Sequence, residues 1–161
     1  MLKYPVTTAT RFLSNKNINY TPHLYNYESK GGTKQTSIEL SVNEYNVIKT
    51  LVFQIDNKTI ILVLMHGTLE VSTKELARIL NVKNIYQCTE ETAKKATGYQ
   101  FGGTSPFGTK KELPIYVEKT IFDLDKMYIN GGKRGFILEM TPDNLLKIFP
   151  NLKLVEVGIT K

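Results

Sequence analysis

The chain is poor in the residues that build redox and metal sites: 161 residues contain one cysteine, Cys88, and two histidines, His23 and His66. A single cysteine cannot close an intramolecular disulfide, and no basic segment followed by a long apolar stretch opens the chain. The sequence therefore predicts a protein of the reducing cytoplasm. Neither histidine stands at a ligand spacing from the other or from Cys88, so no metal site and no cofactor are expected. Long apolar runs are also lacking. The longest, residues 60–65, has six residues where a membrane-spanning helix needs about 20, which predicts no membrane partner. A nucleophilic triad finds no support either. No nucleophile-elbow pattern surrounds a histidine, and Cys88 falls in a predicted strand, where a thiol is more often an inert apolar group.

What is present suits an ordinary core. Hydrophobic residues make up 41% of the chain and charged residues 22%, enough for one domain over residues 1–161. The net charge of +6, from 21 basic against 15 acidic residues, favours polyanionic partners through counterion release, although the same modest excess also serves solubility. Periodicity predicts a helix over residues 7–15 and a Tyr-rich strand over 19–27 that ends in a Gly31–Gly32 turn. A capping box of Ser41 and Glu44 predicts a short helix before the next strand. Residues 50–54 and 59–65, joined by Asp56, Asn57 and Lys58, predict a central hairpin. Ser72 with Glu75 opens a helix that ends at Asn81, and Thr89 opens another that ends at Gly98. Strands are expected at 85–88, 113–117, 126–129, 136–140 and 152–157, with a helix between Pro142 and Pro150. Without a strict βαβ rhythm the reading is α+β: one curved mixed sheet, partly barrel-like, surrounded by short helices.

Two glycine-rich segments, 97–108 and 129–135, could turn main-chain amides toward an anion or oxyanion. From glycine content alone a pair of tight turns is the favoured reading, because neither segment fits a Walker or Rossmann pattern. Lys133 and Arg134 add cationic donors beside Gly131 and Gly132, with a solvated turn as the ordinary alternative. Lys49 sits where an apolar strand begins, so its amine must either snorkel to water or serve a buried anion.

Together the runs 47–52, 96–99, 102–108 and 129–135 resemble the YbaK/EbsC family of aminoacyl-tRNA deacylases, relatives of the editing domain inserted in bacterial prolyl-tRNA synthetases. The resemblance implies a free-standing domain that removes a wrong small amino acid from the 3′-terminal adenosine at the acceptor end of tRNA, with prolyl-tRNA the usual context and a prolyl-tRNA synthetase a possible partner. It implies an essential Lys49, with Gly102 and Gly103 of the G-x-x-x-P loop surrounding the aminoacyl group. The substrate would also meet Tyr20, Thr50, Thr97, Gly98, Tyr99, Thr104, Ser105 and Pro106, and an opposite wall of Asn130, Gly131, Gly132, Lys133 and Arg134. The cysteinyl branch of the family has serine and aspartate where this chain has Asn130 and Ile137, so its amino-acid preference is not carried over. The attacking group could be water, a ribose hydroxyl or the substrate's own thiol. A non-catalytic RNA-end module and a structural partner of a synthetase are the competing readings.

Overall fold

Helix signals and apolar runs resolve into fifteen elements in the computed structural model, which describes residues 3–56 and 58–161. They are α1 (Thr8–Asn15), β1 (Thr21–Leu24), α2 (Gly32–Leu40), β2 (Val47–Ile55), β3 (Thr59–His66), β4 (Leu69–Val71), α3 (Thr73–Leu80), β5 (Ile85–Gln87), α4 (Glu90–Thr97), β6 (Ile115–Glu118), β7 (Met127–Lys133), β8 (Phe136–Met140), α5 (Asn144–Ile148), β9 (Lys153–Val155) and β10 (Gly158–Thr160). Short 3-10 turns cover Glu44–Asn46 and Lys119–Asp123.

The expected hairpin is the centre of the molecule. β2 and β3 pair antiparallel from Ile48↔His66 to Ile55↔Thr59, and the sheet runs β1-β8-β7-β2-β3-β6-β9, with β5 added on β2. The pairs β2–β7, β3–β6 and β6–β9 are parallel. Among the described residues β1 and β9 are the unjoined ends of this path, so the sheet is open and the partly barrel-like expectation stops short of closure. The run 60–65 does not alternate because both of its faces are covered. Leu62 and Leu64 join the main core with Ile48, Val52, Leu13 and Phe107. Ile61, Val63 and Met65 join a second core with Phe53, Leu76 and Val155.

Three helix starts follow their sequence signals. Thr7, Ser72 and Thr89 accept hydrogen bonds from the amides of Thr10, Glu75 and Thr92 at 3.1, 3.2 and 3.2 Å, each worth about 1 kcal/mol to its helix. Other expectations are corrected. Ser41 starts no helix: it is the left-handed C-cap of α2 (φ 56°), and Asn43 caps the following 3-10 turn through Tyr45 N at 3.0 Å. Helix α2 left little periodic signal because it buries only the polar Thr36 and Ser37 and exposes Ile38. The strand expected over 19–27 shrinks to Thr21–Leu24. The strand expected over 152–157 ends at Val155, and the chain resumes as β10. The Glu118 carboxylate accepts from the amides of Val157 and Gly158 at 2.8 and 2.9 Å and so takes the donors a continuous ladder would use. Asn57 of the hairpin turn lies outside the described residues.

His66 closes the hairpin without solvent exposure. It stacks on Tyr45 at 3.7 Å and holds the Tyr45 carbonyl and the Thr120 hydroxyl at 2.7 Å each. Burial lowers its pKa, against the opposing pull of the Tyr45 carbonyl. The unfolded chain therefore takes up a proton below about pH 6.5 that the folded chain refuses, and stability falls as pH drops through that value. In urea unfolding, His66→Gln should flatten this acid limb between pH 7 and 5; an unchanged limb would assign it elsewhere.

Candidate active site

Strand periodicity decides which candidates can meet. Ile48 and Ile129, the last paired residues of the parallel β2–β7 contact, both point into the main core. Lys49 and Asn130 come next on each strand, just past the last paired residues, and by strand alternation both belong to the opposite face of the sheet. Thr50 returns to the core side, where its hydroxyl is buried with no hydrogen-bond partner among the described residues. Its side chain is on the other face of the sheet from Lys49.

Asn130 ties the two glycine segments together. Its amide group donates to the Gly102 carbonyl at 3.1 Å, while its Oδ1 accepts from the amides of Gly132 and Lys133 at 2.7 and 3.2 Å. The second glycine segment is thus the end of β7 rather than the expected loop, with a register shift between Asn130 and Lys133. Arg134 donates from Nε to the Phe101 carbonyl at 2.9 Å and lies 5.2 Å over the Tyr27 ring. A Cβ on Gly103 would come within 3.0 to 3.2 Å of the Arg134 and Lys133 backbone, and one on Gly102 (φ +85°) would strike the Tyr27 hydroxyl at 2.5 Å. Only glycine lets these two chains approach so closely.

Several predicted contact residues turn inward and shape the loop. Thr97 Oγ1 donates to Ala93 O and accepts from Tyr99 N at 2.8 and 3.1 Å, just before Gly98 ends α4. Tyr99 donates its hydroxyl to the Phe107 carbonyl, and burial pushes its pKa to about 12, so the phenol stays neutral. Buried Ser105 accepts from Phe107 N at 3.2 Å beside buried Pro106. Thr104 donates to Gln100 O at 3.3 Å, and Gly131 O accepts from Thr7 at 2.6 Å. The Gly103 amide is also engaged, with Gln100 O at 2.9 Å. The amides of Gly102 and Thr104 have no acceptor among the described residues. Tyr20 lies apart from the glycine segments, lining a groove with Lys126 and Glu139 at the other end of β7 and β8.

The Lys49 amine donates to the Leu69 carbonyl rather than to either glycine segment. Burial lowers its pKa, repulsion from Lys161 lowers it further, and Glu70 and Glu44 act in the opposite sense. Lys161 is brought there by β10, where Thr160 pairs with Leu69, and it lies 3.7 Å from Glu44. Glu44 also accepts from Thr33 of α2 at 2.7 Å, and α2 packs on β2 while Thr36 meets the Tyr25 hydroxyl at 2.8 Å. Helix α2 therefore spans this face from Glu44 to Tyr25. Sequence reasoning missed Tyr27, Glu44 and Lys161. The Tyr-rich run before Gly31 was a usable signal for Tyr27, but nothing local marked the other two. Lys161→Ala should raise the pH at which Lys49 titrates, as followed by NMR of labelled lysine side chains; no upward movement would disprove the coupling.

Residues 31–148 match the aminoacyl-tRNA editing domain family, and the chain belongs to that family. It is 26% identical over 144 residues to "Putative Cys-tRNA(Pro)/Cys-tRNA(Cys) deacylase EbsC" of Enterococcus faecalis, covering 88% of this chain and 87% of that protein. It is 33% identical over 88 residues to the proline–tRNA ligase of Brachyspira hyodysenteriae, 55% of this chain but only 15% of the ligase. A crystal structure described as "a putative trans-editing enzyme for prolyl tRNA synthetase" shares the fold at a TM-score of 0.84 and 19% identity, covering 97% of this chain and 99% of that one. Among the described residues no helix is long and apolar enough to cross a membrane.

Proposed function

We propose that this protein is a trans-editing deacylase that removes a mischarged small amino acid from the 3′-terminal adenosine of a tRNA, with tRNA(Pro) the favoured carrier. Asn130 is the observation that carries the reading, because one side chain holds the Gly102 loop and the end of β7 together on the sheet face to which Lys49 belongs. The likeness to a proline–tRNA ligase, to a Cys-tRNA(Pro) deacylase and to a trans-editing enzyme for prolyl tRNA synthetase supports the carrier.

An aminoacyl ester is already activated, so catalysis needs positioning and a home for the developing oxyanion more than a strong base. The amides of Gly102 and Thr104 are two of the loop's main-chain donors that have no acceptor among the described residues, whereas Gly103 serves by letting the two backbones touch. Lys49 supplies positive charge on the same face once its amine leaves Leu69. With its pKa lowered, part of its population becomes neutral at a lower pH than an ordinary lysine, which suits exchange between the two roles. Discrimination would rest on pocket size, and one methylene is worth only about 1 to 3 kcal/mol in such a pocket. Small amino acids would thus be separated from large ones better than from each other.

The test is ester loss from alanyl-, cysteinyl- and seryl-tRNA(Pro) under identical conditions, with prolyl-tRNA(Pro) as the control. Selective loss from at least one mischarged species is expected, and no turnover on any of them at high protein concentration would refute the reading.

A further inference from the structure

We propose that the groove between the α1–β1 segment and the far end of β7 and β8 binds the RNA nucleotides that precede the acylated one, with Lys16 and Lys147 on their phosphates. The inference deepens the editing reading and rests on it for the position of the acylated end.

The groove holds about 810 Å³ and is lined by Lys16, Lys126 and Lys147, by the amide side chains of Asn15, Asn19 and Asn144, and by Tyr20. Glu139 is the one carboxylate in its lining, and it is already engaged by His23 at 2.8 Å and Lys126 at 3.0 Å. That leaves Lys16 and Lys147, both exposed, as cations that no carboxylate neutralises among the described residues; Lys16 lies 5.1 Å over the Phe12 ring, which leaves its charge available to an outside anion. Amide side chains and a tyrosine beside them suit bases more than a simple phosphate ion.

Position argues for RNA continuous with the acylated end. Tyr128 pairs with Glu139 and Asn130 with Ile137, and His23 also pairs with Ile137. These residues therefore share the sheet face that carries Asn130 and Lys49. The His23 and Tyr128 rings, 6.1 Å apart and tilted at 53° to each other, sit on the strands between Lys126 and Asn130, and each is an aromatic group of the kind on which a base stacks. Four residues of strand from Lys126 to Asn130 span roughly 13 Å, about the length of four stacked nucleotides at ~3.4 Å each.

The test uses an unacylated RNA hairpin with a four-nucleotide unpaired 3′ end, a blunt hairpin of the same stem, and binding followed by fluorescence anisotropy from 50 to 200 mM salt. The double variant Lys16→Glu/Lys147→Glu should bind the tailed hairpin at least tenfold more weakly. Its salt slope should fall by about 1.4, at ~0.7 per single-strand phosphate contact. The control Lys74→Glu/Lys83→Glu, with the same change in net charge on exposed residues elsewhere, should bind nearly as the wild type. The wild type should bind the blunt hairpin about as weakly as the double variant binds the tailed one. The proposal is overturned if the double variant keeps wild-type affinity and slope, if the control loses as much, or if the wild type does not distinguish the two RNAs. Because no ester is involved, tail-dependent binding without turnover on any mischarged tRNA would retire the deacylase reading and leave the groove standing.

Discussion

Replacing Lys49 with methionine should slow single-turnover hydrolysis of a mischarged tRNA by about 100- to 1000-fold, the usual effect of removing one group that stabilises a developing oxyanion. Methionine keeps an unbranched apolar stem but deletes the ammonium, so the β2–β3 pairing around Met65 is preserved. The lost bond is to a carbonyl, Leu69 O, and the amine that makes it is partly desolvated. Its removal should therefore leave the melting temperature unchanged or slightly higher, since desolvating an ammonium that has only a carbonyl for a partner opposes folding. Lys49→Arg separates charge from geometry: a planar guanidinium keeps the charge but cannot occupy the same place, and partial activity is expected. A methionine variant within threefold of wild type would remove Lys49 from the reaction. A variant that loses activity together with its melting transition would make it a structural residue instead.

Phe107→Ala should cost about 3 to 5 kcal/mol of stability, the range for deleting a fully buried phenyl ring. The ring has no solvent exposure and packs parallel to Phe149 with centroids 6.0 Å apart. Its backbone anchors the glycine loop on both sides, with the carbonyl accepting from Tyr99 and the amide donating to Ser105. Ordinary domains have only about 5 to 15 kcal/mol to lose, so the midpoint of urea unfolding should fall steeply with little change in slope. Phe107→Leu, which refills most of the volume, should recover more than half of that loss. A loss under about 1 kcal/mol for alanine would mean that the loop is held by Tyr99 and Ser105 without the ring.

Signals confined to a few neighbouring residues survived into the structure. Ser72 and Thr89 cap their helices as their types and positions suggested, the periodic run after Thr7 forms α1, and the β-branched runs around Asp56 pair as the central hairpin, because caps and hairpins depend on atoms only a few residues apart. Helix α2 was not legible, since its buried residues are Thr36 and Ser37 and its partner Tyr25 lies across a turn. Nor was the division of the last strand, which depends on Glu118, about 40 residues earlier in sequence.

The candidate site divides in the same way. The residue types were written in the chain: a lysine at the head of an apolar strand, two glycine segments and a cationic pair, whose combination carried the family likeness. Which of them face one another was a property of the sheet alone. Strand pleating sends Lys49 and Thr50 to opposite faces, the parallel pairing up to Ile48 and Ile129 puts Lys49 and Asn130 on the same face, and the pairing of β10 with β4 brings Lys161 close to both Glu44 and Lys49. Composition and local pattern fix what a segment can do. Long-range pairing, which no short stretch encodes, fixes what it meets.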